Sequence, residues 1–282
     1  MAASGELGLD EVTVTDGVVA LSGPLALGGG ILNSGLLTVT DSSIRNNEVR
    51  GSGSSAGGGG IANNGTVILR DTVLRDNRAR ATGTQIFSAV GGAVLNRTGA
   101  TMTIEGSTIA ENRAVSRGET GPFFIAAAGG IGNTGTLSVN DTRIVGNRAV
   151  AKGPGGQASG GGMSVADGTV TVTGGDLQGN TAVAGGEGAG ARGGGLENSG
   201  RTILAGVAVR ANRASGPLAQ GGGIFNGARR LTIVDGTVTD NVASGAPGQG
   251  GGIFVDGGGV VLRSTRVVAN RPDDCEPALP GC

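Results

Sequence analysis

Tryptophan, tyrosine and histidine are absent from the sequence, and its 282 residues include only five phenylalanines and two cysteines. So few aromatics exclude an ordinary globular core of interlocked rings. The Trp and Tyr platforms on which sugars usually stack are missing as well. Without histidine the chain lacks the commonest acid–base group and a principal zinc ligand, so neither a metal site nor a cofactor is expected. Charge of one sign is also lacking: 21 basic residues face 22 acidic ones, for a net charge of −1. A balance of this kind supplies no bulk field to draw the protein to nucleic acid or to an anionic membrane.

Long apolar runs are missing too, because Gly, Asn or Thr interrupts every one of them well before the length of a membrane span. Met1 to Asp10 shows neither a basic n-region nor an apolar h-region. Patterned sequence begins almost at once, at Val12, and the chain therefore reads as an excised domain whose export signal lay elsewhere.

What is abundant is glycine, with 61 residues, and small aliphatics, within a hydrophobic share of 37%. There is enough apolar surface to fold, provided many small side chains stack instead of a few large ones interlocking. Length alone permits one large domain or two small ones, and an internal repeat decides the matter. Asn47, Asn77, Asn112, Asn147, Asn180, Asn212, Asn241 and Asn270 recur at intervals of 29 to 35 residues. Aliphatic residues stand eight positions before each (Val39, Leu69, Ile104 and their successors) and three before (Ile44, Leu74, Ile109 and theirs). With Leu37, Val67 and Met102 ten positions before, the first pair shows the two-residue alternation of a strand buried on one face.

Six positions before the asparagine comes Asp, Gly or Ser, beginning with Asp41, Asp71 and Gly106, which suits a tight turn. Two positions after it Val49 is followed by a column of alanines starting at Ala79 and Ala114, small inward residues where a coil turns. A glycine cluster such as Gly58-Gly59-Gly60-Ile61 opens a further strand in every unit. A degenerate first unit places Val12, Val14, Asp16 and Val19 on these positions, with Ser22 where asparagine belongs. Stretches such as Arg50 to Ala56, Arg80 to Val90, Val115 to Ala128 and Val150 to Ser159 vary in length and read as loops projecting from one edge.

The expected fold is all-β: a single-stranded, right-handed parallel β-helix of about nine coils, with three short strands per coil. The repeats occupy residues 1–270 and a Pro- and Cys-containing capping tail residues 271–282. Stacked asparagine amides, donor and acceptor together, would form a ladder satisfying the backbone of buried turns. Leucine-rich repeats fail on period and on helix-forming sequence, collagen on its strict glycine triplet, and the calcium nonapeptide does not recur.

The phrase GGGIxNxGxLTVxxSxIxxNxA, spread over Val12 to Asn270, resembles the right-handed β-helix regions of bacterial surface and secreted proteins, of polymorphic outer-membrane or autotransporter-passenger type. The resemblance implies export to the cell surface or beyond. It implies little about activity, because such coils serve adhesins, structural layers and polysaccharide enzymes alike. The ending Asn270-Arg271-Pro272-Asp273-Asp274-Cys275 looks like the terminal coil of such chains. Cys275 and Cys282, seven positions apart, read as a disulfide pinning a cap in an oxidising compartment, with free thiols as the alternative.

Candidate sites are few. Asp71 and Asp141 lie in the turn column and read as local hydrogen-bonding residues. Asp76 and Glu111 form either a carboxylate pair or a solvated charge ladder. Arg78, Arg113 and Arg148, each directly after an asparagine, would stack within reach of one polyanion, an acidic polysaccharide, unless Asp76 and Glu111 balance them. Phe87, Phe123 and Phe124 would either form an apolar patch for a partner or lie in segments that extend the third of the three expected sheets and pack on the coil.

The reading that follows is an exported, non-enzymatic structural or adhesive module of the bacterial cell surface, binding acidic polysaccharide or a surface protein and no nucleic acid. A polysaccharide lyase- or hydrolase-like protein is the alternative. A filament subunit associating end to end through its coils is the second.

Overall fold

The computed structural model describes residues 5–23, 25–84, 87–118 and 124–282, and among them every regular element is a β-strand. All strand pairings there are parallel, each strand bonding its equivalent one coil away. The fold is a parallel β-solenoid of the right-handed type.

The first coil consists of Glu6–Asp10, Thr13–Thr15, Val18–Leu21, Leu25–Leu27 and Ile31–Asn33. Stacking extends these five strands into five sheets, here called first to fifth in chain order, three of nine strands and two of eight. The chain thus makes eight complete coils and a partial ninth, with five strands per coil where three were expected. The segments read as edge loops supply the difference. Arg78–Thr82 and Arg113–Arg117 are strands of the third sheet, and Phe87–Val90 and Phe124–Ala127 of the fourth. Their inward residues are mostly alanines, with Ser116 and Phe124 among them, so no large aliphatic marks the buried face. The alanine column accordingly lies within a strand and not at a turn.

The first coil corrects a second expectation. Leu7 and Leu9, not Val12 and Val14, pair with Leu37 and Val39, and Val14 pairs with Ile44. Gly17, not Ser22, takes the asparagine position, its N–H donating to Asn47 Oδ1 at 2.9 Å. Glu6, Gly8 and Asp10 around the two leucines are what obscured the true register.

In cross-section the coil has two lobes. The first, second and fifth sheets enclose a core of Leu37, Val39, Ile44, Ile61 and their equivalents in every coil. The third and fourth sheets face each other across alanines, among them Ala79, Ala81, Ala89 and Ala114 in the early coils and Ala149, Ala158, Ala182 and Ala191 later. Between the lobes the chain pinches. A Cβ on Gly59 would fall 2.5 Å from the Arg78 backbone, so only glycine permits the approach.

The corners carry ladders. Each asparagine of the main column is buried, and the Nδ2 of Asn77 donates to Asn112 Oδ1 at 3.0 Å while that of Asn112 donates to Asn147 Oδ1 at 2.9 Å. A second ladder, unrecognised in the sequence, runs through Asn33, Asn63, Asn96 and Asn133 and is broken at Val165 before Asn198 and Asn226. Hydroxyls make a third: Thr72 N–H donates to Ser107 Oγ and Ser107 N–H to Thr142 Oγ1. Asp41, Asp71, Asp141 and Asp235 do occupy a turn with positive φ. So do Asn46, Asp76, Glu111 and Asp240 just before the asparagines, a second left-handed column.

At the C-terminal end Asp274 Oδ1 accepts from the backbone N–H and the Nδ2 of Asn270, at 2.9 and 2.8 Å, taking the place of a further asparagine. Cys275–Glu276 adds a last strand to the fifth sheet, the Cys275–Cys282 disulfide closes the tail, and Leu279 packs on the main core.

Candidate functional site

A strand with one face buried must send alternate side chains outward, and the outer face of the third sheet is where this rule concentrates charge. Residues one, three and five positions after the asparagine point away from the alanine lobe. Arg78, Arg113 and Arg148 are direct cross-strand neighbours on three successive coils, and the column breaks at Thr181. Arg50 pairs with Arg80 in the next column, and Arg117 with Lys152 in the one beyond. Seven cations of four successive strands thus share one face, with Glu48 as the sole carboxylate on those strands.

Glu48 sits at the N-terminal edge of the patch. Its Oε2 accepts from Arg50 Nη2 at 2.6 Å, and its Oε1 lies 4.0 Å from Arg78 Nε. The hydrogen bond from Arg50 holds the Glu48 carboxyl below its ordinary pKa, against some desolvation, with Arg78 and Arg80 adding to the effect. Arg78 is half-buried, which lowers its pKa, and its Nε is buried without a hydrogen-bond partner. Among the described residues, Arg80, Arg113, Arg117, Arg148 and Lys152 form no ion pair. Asp76 does not balance the arginine row: it pairs with Arg75 at 3.0 Å, around the corner on the second sheet. Glu111 occupies the same corner one coil on.

Two hollows mark this face. One of about 590 Å³ is bordered by Leu21, Ser22, Arg50, Ser52, Arg80 and Thr82. The other, of about 150 Å³, lies between Arg113 and Arg148 on one side and Arg117 and Lys152 on the other, over Val115 and Val150. Arg78, Arg113 and Arg148, singled out in the sequence, are therefore brought together. Arg50, Arg80, Arg117 and Lys152 were missed because their segments read as loops. The signal was present as odd-numbered offsets from each asparagine.

The phenylalanines divide. Phe124 is fully buried at the tip of the alanine lobe, where Gly118 and Gly153 leave room for its ring, so it belongs to no exposed patch. Phe87 is half-buried and packs on the alanines. Phe123 lies outside the described residues.

One further titratable group stands apart. Glu197 points outward from the fifth sheet but is buried in the corner that sheet makes with the fourth, accepting from Ser164 and Ser199 hydroxyls at 2.6 Å each. Burial pushes its carboxyl up, opposed by the two serines and by Arg192. The Arg192 guanidinium stacks 5.0 Å from the centre of the Phe225 ring. Among the described residues no cluster of Cys, Asp and Glu could hold a metal ion, and no helix is long and apolar enough to cross a membrane.

No protein-family model matches the chain, and no curated protein matches it. A search of solved structures finds a likeness to the crystal structure of a TibC-catalysed, hyper-glycosylated fragment of TibA, at 13% identity and a TM-score of 0.16, covering 95% of this chain and 98% of that one. At that TM-score the likeness carries no argument about function.

Proposed function

We propose that this solenoid is an exported structural or adhesive module of the bacterial cell surface whose third-sheet face holds an acidic polysaccharide. One observation carries the reading: seven cations on four stacked strands, accompanied by a single carboxylate that is already engaged. Guanidinium groups present fork-shaped donor pairs that match carboxylates and sulfates. Neighbouring cations about 4.8 Å apart repel one another unless an anion lies across them. The Cys275–Cys282 disulfide supports an oxidising compartment. Glu48 is held ionised by Arg50, so it is poorly suited to donate a proton, and Glu197 lies on a different sheet. That arrangement favours holding a chain over cleaving it.

Titration calorimetry against acidic polysaccharides at low salt tests this. Binding should weaken steeply as salt rises and should fall when Arg113, Arg117 and Arg148 are changed together to serine. A wild-type protein that ignores every acidic polysaccharide, or a triple variant that binds as well as wild type, would sink the reading.

A further inference from the structure

The cationic face has a profile that narrows the choice of ligand. Val115 and Val150 are cross-strand partners in the middle of their strands, and both are buried although they face outward. The side chains on either side cover them. Arg113 and Arg148 stand on one side of this apolar strip, and Arg117 and Lys152 on the other. The two rows are four residues apart along the strand, about 13 Å between Cα positions, which leaves room for one narrow chain between leaning side chains. Because equivalent residues stack along the solenoid, the trough runs parallel to the long axis over these two coils, with a cation on each wall at both rungs; one coil earlier Arg80 and Thr82 take the middle and outer positions, and one coil later Thr181 and Gly185 take the two walls.

Resting on the reading above, we infer that the ligand is a linear sulfated polysaccharide lying along the axis, with anionic groups on both edges of its rings. The coil spacing of about 4.8 Å set by strand pairing is close to the length that one pyranose ring adds to an extended chain. Each ring then meets one rung of the trough. A rung presents two cations: Arg113 with Arg117, then Arg148 with Lys152. A simple polyuronate brings one carboxylate per ring and leaves half of these cations unmatched. A chain carrying both carboxylate and sulfate, or more than one sulfate, matches both walls. Val115 and Val150 are covered by the flanking side chains, so recognition rests on the four cations and not on ring stacking, for which this protein lacks the Trp and Tyr platforms. Single-stranded nucleic acid fits less well, since its bases have no aromatic side chain here to stack on.

Calorimetry on the whole chain with size-matched oligosaccharides decides the point. A heparin-type sulfated oligosaccharide should bind at least roughly tenfold more tightly than an oligogalacturonate of equal length, the effect of one added set of charge-assisted contacts. Changing Arg117 and Lys152 together to serine should erase that difference by weakening the sulfated ligand selectively. The exchange Arg117→Lys with Lys152→Arg, which keeps both charges, should preserve it, and circular dichroism confirms that each variant is folded. Equal binding of the two oligosaccharides, or tighter binding of an oligodeoxynucleotide than of the sulfated ligand, overturns the two-walled assignment while the acidic-polysaccharide reading stands. Failure of both oligosaccharides to bind removes the two together.

Discussion

Asn112 and Asn147 occupy the same corner of successive coils, and Asn147 Oδ1 accepts both the backbone N–H and the side-chain Nδ2 of Asn112, at 3.0 and 2.9 Å. The Nδ2 of Asn147 in turn donates to Ile109 O at 2.8 Å and to Asn180 Oδ1 at 3.0 Å. One side chain therefore serves three coils.

Removing it should be costly. Asn147→Ala leaves several buried groups unpaired in a place water does not reach, and a loss of roughly 3 kcal/mol is expected. Urea unfolding should show a lower midpoint at an unchanged slope. A loss of a few tenths would mean that the ladder is decoration.

The alanine lobe should resist enlargement more than the main core resists small swaps. Ala149 is fully buried between the third and fourth sheets, where its neighbours are other alanines. Ala149→Leu has no empty space to fill and should cost about 1–3 kcal/mol, whereas Leu137→Met in the main core should cost less than about 1.5 kcal/mol. Thermal melts of the two variants check the order, and the reverse order would contradict the two-lobed section.

Glu197 predicts a pH dependence. Its carboxyl is raised above the ordinary 4.5, so the folded state holds a proton that the unfolded chain has already released. Stability from this group is complete below about that value and is lost as pH rises through the folded pKa. Glu197→Gln keeps a polar group between Ser164 and Ser199 without the charge. The variant should melt higher than wild type at neutral pH, with the gap closing as acid is added. A gap that widens in acid would reverse the assigned direction.

The end of the ladder is similarly open to test. Asp274→Ala deprives the Asn270 N–H and Nδ2 of their acceptor, at a cost of about 1–2 kcal/mol. The loss should be local at first, seen as faster hydrogen exchange at the Asn270 and Asn241 amides while Asn112 stays protected. Sedimentation would reveal at the same time whether a loosened end promotes association of coils end to end.

Part of this architecture could be read directly. The columns represented by Leu69, Leu74 and Asn77 recur because each coil must bury the same faces against the same neighbours, and a period so imposed survives in the sequence. The turn aspartates were legible for a related reason, since few residues accept the positive φ found at Asp71 and Asp141. The third and fourth sheets were not. Their interior is alanine against alanine, as at Ala79 and Ala89, and a small residue beside glycine looks alike in a strand and a loop. The second asparagine ladder was overlooked because Asn63 and Asn96 stand between glycines that draw attention to the turn.

By itself, then, the sequence determined the repeating coil, its period and the asparagine column, because those follow from alternation and spacing along the chain. The arginine row after the asparagines was visible as well. That Arg117 and Lys152 form an opposite wall, that Val115 and Val150 floor the space between, that Asp76 turns away to Arg75, and that Phe124 disappears inside were decided by tertiary structure alone. The two walls follow from the parallel register of the third sheet, and the burial of Phe124 from the space left at Gly118 and Gly153, relationships between coils that no local pattern encodes.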